Sequence, residues 1–202
     1  MKRAHILLAR LRRNERGAAL LEFAFVAPVF IVMAMGALDI GYRVYLQSVI
    51  TGTVEAVARQ SAVGGMTTTQ VDNEIIKNVK LVLPASARSN PQSIQITKKS
   101  YDNFSAVGNP EKITSDTAPV GSYNVGDCYE DANRNNVYDA SGGSTGIGGA
   151  EDVIYYQVDV TFPRLFPMAG LLGWSTNQSS TVKTIVRNQP YGAQATPPVR
   201  CS

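Results

Sequence analysis

The sequence predicts an α+β protein: a long N-terminal membrane-spanning helix followed by a small extracytoplasmic domain with an antiparallel sheet of about three strands. Three observations carry this. Residues 18–38 form an apolar run whose only ionisable side chain is Glu22, long enough as a helix to cross the ~30 Å hydrocarbon core. A helical apolar stripe continues beyond that run, and three later segments have the alternation or β-branched richness of strands.

The run is preceded by a basic head, residues 1–17, in which Lys2, Arg3, Arg10, Arg12, Arg13 and Arg16 face only Glu15. Arg43 stands alone beyond the other flank. The positive-inside bias therefore keeps the N-terminus in the cytoplasm and sends Asp39 onward across the membrane. Pro28 lies inside the span, where a missing donor is tolerated when neighbouring helices compensate. Ile40, Val44, Gln47, Val54, Val57 and Ala58 then keep helical spacing until Gly64-Gly65, with Tyr42 and Tyr45 at the level of an aromatic interface belt. The domain division is 1–17 cytoplasmic leader, 18–38 transmembrane helix, 39–63 its extracytoplasmic continuation and 64–202 an extracytoplasmic α+β domain.

Within that last domain, 67–83 reads as a shorter helix with Thr68 or Thr69 as cap and Pro84 as stop. Residues 93–101, 152–162 and 180–187 read as strands. Between the last two strands lies PRLFPMAGLLGW, either a buried connection or a surface for a neighbour, and 162–174 is a candidate contact segment. The end, QPYGAQATPPVRCS, reads as an irregular tail.

Net charge is +3, but the leader carries the excess, leaving 13 basic and 15 acidic residues beyond it. The body is mildly acidic, which argues against a phosphate-binding footprint and so against nucleic acid as a partner. Both cysteines, Cys128 and Cys201, lie on the far side of the membrane, where such a pair reads as a disulfide. A zinc site is the weaker reading, because two cysteines without CxxC spacing and without a histidine in the body leave too few ligands.

Residues 127–139, DCYEDANRNNVYD, have metal-ligand spacing. Asp131, Asn133, Asn135 and Asp139 place side-chain oxygens at the first, third, fifth and ninth positions, with the Val137 carbonyl at the seventh. That is the opening half of a calcium loop, since a hard cation needs several oxygens converging on one point. Asn136 replaces the usual turn glycine, a left-handed position that Asn tolerates. Gly142 stands where the bidentate Glu belongs, and Glu151 or Asp152 could substitute across the glycine-rich loop. The competing reading is a solvated turn closed by Asx side chains on their own backbone. Calcium is the one cofactor these residues suggest.

The segment ERGAALLEFAFVAPVFIVMAMGALDIGYRVYLQSVITGTVEAVAR, with Arg16-Gly17, Glu22-Phe23, Pro28 and the aromatic-rich stretch after Gly41 in register, resembles the TadE-like family of minor pseudopilins. These belong to the tight-adherence (Flp, type IVb) pilus machinery. The resemblance implies that a prepilin peptidase cuts between Gly17 and Ala18. It also implies that Glu22 pairs in the membrane with the N-terminal amine of an adjacent subunit. Glu22 is four residues, about one turn, from Ala18, so both groups share a face. An unpaired carboxylate costs roughly 2.5–3.5 kcal/mol at mid-membrane and less near the end, so snorkelling to the headgroups is the competing account.

Implied partners are the prepilin peptidase, another minor pseudopilin, the major pilin and the inner-membrane assembly platform, with adhesion and biofilm formation as outcome. The implied location is the bacterial inner membrane, single-pass, with a periplasmic C-terminal domain that enters the pilus.

An ordinary secretory signal cut near Gly36 is the alternative for the leader, but its apolar core would exceed the usual ~7–15 residues. Enzymatic chemistry is not expected. His5, the one histidine, lies in the leader, and SGGSTGIGG lacks the lysine of a phosphate loop. The alternative function is an uncleaved, membrane-anchored binding module or adhesin.

Overall fold

The computed structural model describes residues 15–166, 170, 173–189 and 192–201. Residues 1–14 of the leader, and five positions of the 162–174 segment, lie outside the described residues. Helix α1 runs over Glu15–Ala62 as one element and passes through Pro28. The chain divides into two compact units inside this helix. One takes the helix up to Arg43 together with Arg164–Thr176; the other is Val44–Pro163 with Asn177–Ser202.

In the second unit, α1 buries one stripe, Leu46, Ile50, Val54, Val57, Ala58 and Ala62, the i, i+4 spacing of a core-facing helix. It stops at Gly64, whose positive φ of 99° lets its N–H turn back onto the Ser61 carbonyl at 3.1 Å. Helix α2, Thr68–Val82, follows. Its cap is Thr67, one residue before the expected Thr68 or Thr69. Gln70 selects it: the Gln70 N–H donates to Thr67 Oγ1 at 3.3 Å and the Thr67 N–H donates to Gln70 Oε1 at 2.7 Å, a capping box. Val71, Ile75 and Val79 make its buried stripe. Leu83, extended before Pro84, ends it, and a single turn, α3 (Ala85–Arg88), leads into the sheet.

Among the described residues seven strands follow: β1 Ile94–Tyr101, β2 Ile113–Ser115, β3 Cys128–Glu130, β4 Ser144–Thr145, β5 Val153–Pro163, β6 Asn177–Arg187 and β7 Val199–Cys201. The main sheet has the order β4-β1-β5-β6 and is antiparallel at every pairing. Along β5, Ile154, Tyr156, Val158, Val160 and Phe162 are buried on one face. The other face carries the exposed Gln95, Thr97, Thr161 and Lys183, but at one end the paired Tyr101 and Val153 on that face are buried. This is the two-period pattern of a sheet covered fully on one side and at one end of the other.

The helices cover the buried face. The Tyr156 hydroxyl lies 2.7 Å from Ser61 Oγ of α1. Because Ser61 uses its one hydrogen on the Ala58 carbonyl, the tyrosine is the donor. Lys98 of β1 reaches α2, donating to Asp72 and to the Thr68 carbonyl at 3.0 Å.

A second sheet, β2-β3-β7, is made of strands of three residues. Sequence periodicity is silent on segments this short, which is why the expected sheet had about three strands and this one was not foreseen. Cys128 and Cys201 face each other across β3 and β7 and are joined by a disulfide. Beneath it, Tyr129 meets Tyr123 and Tyr138 edge-on with centroids at 5.6 Å, and the latter two stack at 3.9 Å.

Candidate membrane and assembly segment

Apart from Glu22, α1 is apolar on every side from Gly17 to Leu38, and most of its large side chains are exposed: Leu20, Phe23, Phe25, Phe30 and Met33 each keep about 70% of their surface. A helix that is apolar all round and uncovered by its own chain is one whose solvent is lipid or another helix. It is the one helix among the described residues with the length and composition to cross a membrane.

Gly17 and Ala18 lie in the first turns of this helix and are exposed. Among the described residues, nothing requires glycine at 17. An added Cβ would meet no atom within 4 Å, and the backbone there is not left-handed. What the glycine does supply is a weak point, roughly 1 kcal/mol less helical than alanine, next to the bond that a peptidase would have to hold extended. Glu22 is exposed one turn further on and makes no ion pair among the described residues.

The apolar stretch ends at Asp39, and here the structure shows a pairing that sequence reasoning missed. Asp39 is buried, at 8% exposure. Its carboxylate accepts from Arg164 Nη1 at 2.6 Å and from the Leu165 N–H at 3.0 Å. Arg164 also donates through Nε to the Ser175 carbonyl at 2.9 Å, and its guanidinium lies 5.5 Å over the Trp174 ring. The available signal was an acid directly after an apolar run and a lone arginine opening a second one.

The proposed calcium ligands are placed as follows. Asp131 is fully buried; its oxygens accept from the N–H groups of Asn135 and Asn136, each at 3.0 Å, and Arg200 Nε lies 3.5 Å away. Asn133 and Asn135 both donate their side-chain amides to Asp139, and Val137 is held by its N–H to Asn135 Oδ1 at 2.7 Å. Asn136 adopts φ 65°, the left-handed turn its position demands. These five residues are brought together; Glu151 and Asp152 are engaged elsewhere. Glu151 pairs with Arg187 at 3.1 Å. Asp152 accepts from the Gly149 N–H at 2.7 Å and from Gln194 at 3.0 Å.

The carboxylate that enters the loop instead is Glu111, which sequence reasoning did not single out. Its two oxygens accept from the Ala132 and Asp139 N–H groups at 2.9 and 3.0 Å. Gly142 is explained by it, since a Cβ there would stand 2.5 Å from Glu111 Cγ. Burial pushes the Glu111 pKa up, against the backbone donors, which pull it down. Asp127 goes the other way: the Thr117 N–H, followed by those of other donors, holds it below the usual carboxylate range despite burial. Among the described residues, no group of three or more His, Cys, Asp or Glu side chains is gathered in the manner of a metal centre.

Residues 17–59 match the family model described as TadE-like protein. The match begins on Gly17, contains Glu22 and Asp39, and covers 43 of the 202 residues. No curated protein and no solved structure matches the chain.

Proposed function

We propose that this chain is a minor pseudopilin, a structural subunit of a tight-adherence pilus held by α1 in the bacterial inner membrane. In this reading the peptidase removes residues 1–17, leaving 185 residues that begin at Ala18. Glu22 then pairs with the freed amine of a neighbouring subunit, and the sheet domain faces the periplasm. Partners are a second minor pseudopilin, the major pilin and the assembly platform. The role is mechanical, not catalytic.

The observation that carries this reading is the change of surface along one unbroken helix. Its first 20 or so residues are bare and apolar; from Leu46 onward its stripe is buried in a core. A soluble protein would bury the first part as well. The Cys128–Cys201 disulfide supports an oxidising compartment for the domain.

The test is the mass and N-terminal sequence of membrane-extracted protein from cells with and without the prepilin peptidase. A product beginning at Ala18 only in the presence of the peptidase is the expected result. An intact leader in both strains would favour the anchored binding module instead. Glu22→Val should leave the protein in the membrane but abolish its co-purification with pilus components.

A further inference from the structure

We propose that the two described ends of the connection between β5 and β6, residues 164–166 and 173–176, form a second membrane contact, lying in the headgroup layer beside the end of the α1 span. This rests on the membrane reading of α1 given above. The position comes from the Asp39 carboxylate. Asp39 is the first residue after the apolar run, and it holds both Arg164 Nη1 and the Leu165 N–H. The connection is therefore fastened at the depth where hydrocarbon gives way to headgroups.

Its surface chemistry suits that depth. Beyond Arg164 the sequence LFPMAGLLGWST has no charged residue. Of its described large side chains, Leu165 is 49% and Trp174 59% exposed and Phe166 is half-buried; Leu38 and Ile40, the sequence neighbours of Asp39, are also exposed. The reading of this segment as buried core therefore does not hold for Leu165 and Trp174. Exposed apolar side chains fastened to the end of a lipid-facing helix, a tryptophan among them, are what an interface anchor presents.

The charge points to lipid and not to an acidic partner. The Arg164 guanidinium is already shared by Asp39, the Ser175 carbonyl and the Trp174 ring. What remains to bind is apolar surface and an indole N–H. The contact should therefore be indifferent to lipid charge, unlike a polybasic patch.

Trp174 is the one tryptophan of the chain, so its fluorescence reports the contact directly. The full-length protein is reconstituted in phosphatidylcholine vesicles, floated on a density gradient, and titrated with brominated phosphatidylcholines and with acrylamide. The expected result is quenching by bromine, stronger for bromines near the headgroup end of the acyl chain than for deep ones, with reduced access for acrylamide. Replacing part of the lipid with phosphatidylglycerol should not change it. Asp39→Asn, which removes the ion pair, should reduce bromine quenching at least twofold while the protein still floats.

Floated protein whose Trp174 is open to acrylamide and untouched by bromine would overturn the proposal and leave the span intact. Protection from acrylamide without bromine quenching would also overturn it, by showing that a second protein surface covers the patch. Protein that fails to float would overturn the membrane reading itself, and this contact with it.

Discussion

The four-stranded layer and the loop-rich part that carries β2, β3 and β7 belong to the same unit, yet they bury different chemistry. In the layer, α1, α2 and β5 contribute Leu46, Ile50, Val54, Ile75, Ile154 and Val158, all fully buried. In the loop-rich part the buried groups are Tyr129 and three carboxylates, Glu111, Asp127 and Asp131, each accepting hydrogen bonds from backbone N–H groups. The difference teaches how short strands can be held. A three-residue strand has too few side chains to build an apolar core, so its region is fastened by a disulfide and by anionic acceptors that satisfy the backbone of its loops.

The contrast is sharpest in what breaks each part. Ile50→Ala should destabilise the protein by about 2–5 kcal/mol through lost burial and a residual cavity. Phe25→Ala, on the bare part of the same helix, should stay within about 0.5 kcal/mol. Denaturant unfolding of the full chain in detergent micelles, followed by circular dichroism, measures both. Equal losses would mean that the first half of α1 is packed after all.

Cys201→Ser should cost about 2–5 kcal/mol, the usual range for a native disulfide, but unevenly. Amides of β3 and β7 should lose hydrogen-exchange protection while those of β5 keep theirs. Uniform loss across both sheets would erase the distinction between the two parts.

The acid limb should come from the loop-rich part. The Asp127 pKa is lowered in the folded state, so its contribution is present above the unfolded carboxylate range near 3.9 and is lost as pH falls through its folded value. Glu111 is raised by burial and opposes it: its protonated form is favoured, so its contribution is present at low pH and lost as pH rises through its folded value. Asp127→Asn should lower the melting temperature at pH 7 and have less effect at pH 3. A constant difference across that range would remove Asp127 from the account.

The smallest effect expected is that of calcium. Asp131 already has two backbone donors and the Arg200 guanidinium beside it, and both Glu111 oxygens are engaged. Melting of the full chain with calcium or with chelator should therefore coincide. A rise with calcium would show that the loop gives up these bonds for a cation, as the spacing of Asp131, Asn133, Asn135, Val137 and Asp139 first suggested.

What the sequence by itself determined is local. The apolar run, the periodicity of α1 and α2, and the alternation in β1, β5 and β6 depend on residues a few positions apart, so they are readable without knowing where the chain goes next. The paired cysteines were readable because there are only two of them. Tertiary structure decided which charged groups meet. Asp39 finds Arg164 across 125 residues, and Glu111 enters a loop 21 to 28 residues away in place of Glu151 and Asp152. No local pattern encodes such pairings: a buried carboxylate must find donors, and which donors are within reach is set by how strands far apart in sequence come to lie side by side.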